Sequence, residues 1–151
     1  MVRKTTAEAI LFDSGRPLLI VGDDIPPQIG SRILVAWNAS TETARSLTAG
    51  AGLLRASQEV LVLTVNGATV TGPDGDQLAR YLSASGINVK ARVVERGNRG
   101  IGETIMDEAE QFQSDLIIKG AFTHSRLRQL IFGGATSTLI NEAHQPMLMS
   151  H

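Results

Sequence analysis

The sequence contains no cysteine, which removes disulfides, thiolate metal ligation and thiol catalysis together and fits a reducing compartment. Aromatic residues make up only 4%, with a single Trp and a single Tyr. Few platforms are therefore available for stacking the bases of a single-stranded nucleic acid. No charge of either sign is in excess, since 14 Lys and Arg against 15 Asp and Glu leave a formal −1. That gives no basic field for nucleic acid or for an anionic membrane. Long apolar runs are missing as well: Ile33 to Trp37, Val60 to Leu63 and Leu116 to Ile118 fall far short of the roughly 18 residues of a spanning helix. Met1 to Glu8 carries Arg3 and Lys4 but continues Thr-Thr-Ala-Glu, without the apolar stretch of a signal peptide. The expectation from these absences is a cytoplasmic chain. Its 151 residues, 42% of them apolar, suit one sizeable core.

Strand and helix patterns alternate along most of that length. Ile33-Leu-Val-Ala-Trp37 is a buried-type strand, and Asn38-Ala-Ser40-Thr41-Glu42 supplies cap-forming residues and a first-turn carboxylate for the helix behind it. Ala44 to Leu54 has helical apolar spacing. Gly50 and Gly52 weaken it by roughly 1 kcal/mol each while letting the helix sit close to a sheet. Glu59 to Val65 reads as a second strand. Asp76 to Ser85 reads as a second helix with Gly86 just past its end, and Ile87 to Val94 alternates like an edge strand. Ile101, Ile105, Met106, Ala109 and Phe112 form a third helical stripe. Asp115 to Lys119 is another buried-type strand, Ser137 to Ala143 a last helix, and Pro146 to Ser150 a terminal strand. Such alternation implies βαβ units, hence an α/β fold with a parallel sheet covered by helices on both faces. Ligands of open α/β sheets bind beyond the carboxyl ends of the strands, where the strand order reverses. The loops at that point are Asn38 to Ser40 and Gly120 to Arg126.

Residues 1–30 stand apart as a helix–strand extension and linker ahead of a domain at 31–151. The stretch Ala9 to Val21 follows no earlier strand–helix unit, and its grammar echoes Thr138 to Ser150: an apolar pair, an acidic residue, a polar residue before proline (Pro17, Pro146), then an apolar strand. A repeat this short also arises by chance. The alternative is that residues 1–30 are the last helix and strand of a preceding similar domain.

Several apparent motifs carry no chemistry. Gly97 to Gly102 lacks the phosphate-loop ending and the dinucleotide spacing, and Asp74-Gly-Asp76 is too sparse for a calcium loop. His124, His144 and His151 have no cysteine or paired carboxylate at ligand spacing, so no metal site is expected. Ser125 beside His124 is not a catalytic pair: adjacent side chains do not face each other, and no orienting carboxylate or nucleophile elbow accompanies them. No catalytic residue is assigned, and the chain is read as a non-enzyme.

Arg32-Ile-Leu-Val-Ala-Trp-Asn-Ala-Ser40, Glu59 to Val65, Ser114-Asp-Leu-Ile-Ile-Lys-Gly120, Gln145 to His151 and above all His124-Ser-Arg-Leu-Arg-Gln-Leu-Ile-Phe-Gly-Gly-Ala-Thr136 resemble the universal stress protein family over residues 31–151. Ser14 to Val21 resembles the end of a first domain in its tandem members. The resemblance implies an open five-stranded parallel sheet of order 3-2-1-4-5, adenine nucleotide alpha hydrolase-like, with dimers along the fifth strand. In many members ATP binds at the switch point, where the family carries Gly-x-x-Gly, nine residues, then Gly-Ser or Gly-Thr. Gly120 and Gly133 match the outer glycines. Thr123 stands at the second glycine, Gly134 at the hydroxyl residue, and Asn38 at the first-strand Asp that meets the nucleoside.

Backbone N–H groups of Gly133, Gly134 and Ala135 still suit a phosphate, and Thr136 restores a hydroxyl. Thr123 crowds the approach, and Asn38 keeps a hydrogen-bonding side chain without the charge. His124 and Arg126 add polar and cationic character, or merely solvate a helix face. The implied ligand is ATP or another adenine nucleotide, held by these residues with Val65 near the base. Magnesium would arrive only with the nucleotide. The alternative is a dimerisation or interaction module in which Thr123 closes the loop.

Overall fold

The computed structural model describes residues 4–122 and 134–151. Its central strands form where the sequence runs apolar without alternation, because both faces of the sheet are covered. Strand β2 (Arg32–Ala36), β3 (Glu59–Val65), β5 (Leu116–Gly120) and β6 (Met147–Ser150) are buried almost throughout. With β4 (Val89–Val94) they lie parallel in the spatial order β4-β3-β2-β5-β6. That is the expected 3-2-1-4-5 arrangement. Among the described residues the sheet has six strands rather than five: β1 (Leu18–Ile20) lies antiparallel to β6, with Leu18 opposite Met149 and Ile20 opposite Met147. The N-terminal extension thus covers the outer side of β6 within the same chain.

Helices α2 (Thr41–Ala49), α3 (Ala51–Ala56) and α4 (Gly75–Ala84) cover one face through an apolar layer that includes Ile33, Val35, Leu54, Leu78, Leu82 and Ile118. Helices α1 (Lys4–Asp13), α5 (Ile101–Gln111) and α6 (Ala135–Glu142) bring Leu11, Ile105 and Leu139 into the opposite layer with Leu34, Leu63, Ile117 and Met149. Helix starts follow the cap chemistry of the sequence. Ser40 Oγ accepts from the Thr43 amide, and Asp74 with Gln77 makes a reciprocal capping box on α4.

The helix read over Ala44 to Leu54 is two helices, broken at Gly50. A methyl group there would meet Leu148 at 2.9 Å and Ile118 at 3.0 Å, so Gly50 does let α2 lie close on the sheet, whereas Gly52 has open space around it. A latch at the other end of the strands joins linker to domain: the Asp115 carboxylate accepts from the amides of Gly30, Ser31 and Arg32 at 2.9 to 3.0 Å. Among the described residues no helix is long and apolar enough to cross a membrane.

Candidate functional site

The chain leaves β2 toward α2 on one face and leaves β5 toward α6 on the other. This divergence between neighbouring parallel strands makes the switch point. Shortly after each strand comes a non-glycine residue in the left-handed region, Ala39 at φ 64° after β2 and Phe122 at φ 56° after β5. Such residues cost about 1–2 kcal/mol each and mark places where tertiary contacts dictate the backbone.

On the β2 side, Asn38 Oδ1 accepts from Ser40 N at 3.2 Å, Ser40 Oγ at 2.7 Å and Thr43 Oγ1 at 2.7 Å. Its oxygen therefore organises the start of α2. Above it the 66–74 loop folds across the end of β2: Val70 N donates to Asn38 O at 3.0 Å, and Trp37 Nε1 donates to Pro73 O at 2.8 Å. Gly72 is needed there, since a methyl group would stand 3.0 Å from Ala39 O. Val65 ends β3 only 4% exposed, within the layer that holds α5 and α6.

On the β5 side, Gly120 permits the first turn of α2 to touch the sheet, because an added Cβ would lie 2.5 Å from Thr43 N and 2.7 Å from Thr43 Oγ1. The loop then passes Ala121 and Phe122, both buried. Phe12 of α1 stacks on Phe122 at 5.3 Å and edge-on against His151 at 4.4 Å. Gly134 is the N-cap residue of α6 and offers no side-chain acceptor; Ala135 begins the helix. Thr136 is 2% exposed. Its Oγ1 accepts from Phe122 N at 3.3 Å and from Lys119 Nζ at 3.2 Å, so the hydroxyl faces inward. Thr123, His124, Arg126 and Gly133 lie outside the described residues.

Lys119 was read from sequence only as the end of a strand. The signal was available: a lysine inside a fully apolar run, in a sheet covered on both faces, has no solvent side to which it can turn. Lys119 is 8% exposed, and burial pushes its ammonium down to about 8. Ser46 was missed too. Its hydroxyl lies 2.8 Å from Lys119 O and accepts from Ser150 N at 2.8 Å, pinning α2 to β5 and β6.

A cavity of about 310 Å³ sits at the opposite end of the strands, lined by Arg32, Glu59, Lys90, Arg92 and Phe112 among others. Its charges are used internally. Glu59 holds Arg32 and Lys90, each at 2.7 Å, Arg92 holds Glu108 at 2.7 Å, and Arg32 lies over the Phe112 ring at 4.3 Å. The Lys90 ammonium, with Arg32 beside it, holds the Glu59 carboxyl below the usual carboxylate range. These ion pairs tie the starts of β2, β3 and β4 together and fasten β4 to α5. The switch point, by contrast, contains a cation without a carboxylate partner among the described residues.

Comparison with known proteins agrees with this architecture. A universal stress protein from Archaeoglobus fulgidus superposes with a TM-score of 0.77 at 20% identity, covering 95% of this chain and 52% of that one. The present chain thus spans about half the length of that relative. A universal stress protein family member from Burkholderia pseudomallei superposes with a TM-score of 0.58 at 19% identity, over 81% of this chain and 96% of its own. Universal stress protein UspA from Lactobacillus plantarum gives 0.58 at 21% identity, over 78% and 95%. These likenesses establish the fold. No curated protein matches the sequence significantly. The Universal stress protein family profile matches residues 31–151, the whole of the five-stranded parallel unit and its helices, and the chain belongs to the universal stress protein family.

Proposed function

We propose that this chain is a non-enzymatic, cytoplasmic stress-response module that binds an adenine nucleotide, ATP, ADP or AMP, at the switch point between β2 and β5. The observation that carries this reading is the placement of the α6 amino end at the divergence of the two central strands. Helix amino ends present unpaired N–H groups and a partial positive charge to an anion. The Gly134 N-cap supplies no side chain to occupy them. Val65 and the 66–74 loop close the side toward β3, where a base would pack.

The inward engagement of Asn38 Oδ1 and of Thr136 Oγ1 favours a second reading, an interaction module that holds no nucleotide. Association of two copies would use the outer edge of β1, because β6 is already paired on both sides. The readings separate by direct measurement. Denaturing freshly purified protein and identifying released nucleotide by mass spectrometry, together with calorimetric titration of ATP, ADP and AMP, is expected to give a bound adenine nucleotide. No released nucleotide and no heat at millimolar concentrations would refute nucleotide binding and leave the interaction reading.

A further inference from the structure

Lys119 has an ammonium for which the described residues provide no counter-charge. It sits in register with Ala36 of β2 and Met149 of β6, beside an apolar layer that includes Ala121, Phe122 and Leu139. Nζ donates to Gly120 O at 2.9 Å and to Thr136 Oγ1 at 3.2 Å. An ammonium has three N–H donors, so these two bonds leave one over. Among the described residues no carboxylate pairs with it. Residues 1–3 and 123–133 contain neither Asp nor Glu, so the remaining segments hold no acid to add.

The second charge at this place has the same sign. Thr136 is in the first turn of α6, whose N-cap Gly134 makes no side-chain cap bond. The free N–H groups of that turn add a partial positive charge at the helix end whose Thr136 hydroxyl Nζ touches at 3.2 Å. Ser137, in the same turn, is buried with a hydroxyl that has no hydrogen-bond partner. Two like charges and an unsatisfied hydroxyl in a largely apolar surrounding are each costly alone. An anion at the start of α6 that accepts from the ammonium and the free amides of the turn would offset both positive charges.

We propose that Lys119 is the charge-bearing contact for the phosphoryl group of a ligand at the amino end of α6, and that it makes this chain select phosphorylated over unphosphorylated nucleosides. The nucleoside part rests on the nucleotide reading above, whereas the anion part rests on Lys119, Ser137 and the α6 turn alone. A phosphate suits the donor set because its tetrahedral oxygens accept from an ammonium, backbone amides and a hydroxyl at once.

The test uses the full chain, wild type and Lys119→Met, with AMP, adenosine and inorganic pyrophosphate as probes in calorimetry. Methionine keeps the apolar stem without the charge. Wild type is expected to bind AMP at least about tenfold more tightly than adenosine, and the variant to bring that ratio near one while holding adenosine affinity within about twofold. If the ratio is unchanged in the variant, the proposal is overturned. Pyrophosphate binding that depends on Lys119, with neither AMP nor adenosine bound, would uphold the anion site and sink the nucleotide reading. Equal binding of AMP and adenosine by both proteins would do the reverse, and no binding of any probe to wild type would sink both. Should Lys119→Met fail to fold, NMR of the lysine side-chain resonances in wild type decides: pyrophosphate is expected to shift the Lys119 signal, and an unmoved signal refutes the proposal.

Discussion

Replacing Lys119 by methionine is expected to stabilise the protein, by an amount that depends on pH in a specific way. A free lysine titrates near 10.5, and burial pushes Lys119 down to about 8. At pH 7 the group is protonated in both folded and unfolded chains, and its burial costs the folded state about 3 kcal/mol. Between pH 8 and 10.5 the unfolded chain binds more protons than the folded one. Wild-type stability therefore gains from this group as pH rises through that window, and above it the cost is gone. Methionine removes the cost at every pH and packs against Ala36 and Met149. The variant should exceed wild type by up to about 3 kcal/mol at pH 7, less what the lost Nζ bonds to Gly120 O and Thr136 Oγ1 contributed, equivalent to at most roughly 6–12 °C in Tm for a chain of this size. The advantage should then shrink between pH 8 and 10.5. Urea denaturation of both proteins at half-unit pH steps reads this difference. Parallel stability curves between pH 7 and 10.5 would show that the ammonium is not desolvated and would refute the reasoning. A buried charge that lowers stability without a counter-charge among the described residues is the kind of local inconsistency that accompanies function.

Other substitutions follow from the same contacts. Gly120→Ala places a methyl group 2.5 Å from the Thr43 amide and should cost about 1–3 kcal/mol in chemical denaturation; an unchanged midpoint would mean that α2 can retreat freely. Asp115→Ala removes the acceptor of three amides and should cost about 2–3 kcal/mol, with faster hydrogen exchange at residues 30–32; unaltered exchange there would count against the latch. Phe12→Ala, which deletes the rings' contact with Phe122 and His151, should cost about 2 kcal/mol, below the range for a fully buried Phe, and should loosen the extension first by hydrogen exchange. Deleting residues 1–30 bares the outer side of β6, and an exposed strand edge promotes self-association; a monomeric deletion variant of unchanged stability, by light scattering and thermal melts, would contradict that role for β1.

Much of the switch point was legible because its loops follow strands whose apolar runs leave no other assignment. Asn38, Gly120 and Gly134 were located from the alternation and the family-like motif. Their neighbours were not. That Asn38 Oδ1 would be engaged by Ser40 and Thr43, or that Thr136 would turn inward to Lys119, depends on side-chain directions set after α2 and α6 pack on opposite faces. Gly50 and Gly52 look alike in sequence. Only Gly50 lies against the sheet, because α2 touches β5 and β6 where its last turn ends.

The sequence by itself determined the layered α/β architecture, the family and the two loops that meet at the switch point, since the apolar period and the turn residues are local properties of the chain. Tertiary structure decided that the extension pairs with β6 inside one chain. It also decided that Lys119 is enclosed at the end of β5 with no carboxylate beside it among the described residues. Strand partnership and charge environment are non-local: Leu18 meets Met149, and Lys119 meets Thr136, only after the strands have paired and helix closure over the sheet is complete. A residue's chemistry changes when that closure removes water, and for this chain the change falls on a lysine that reads in sequence as the plain end of a strand.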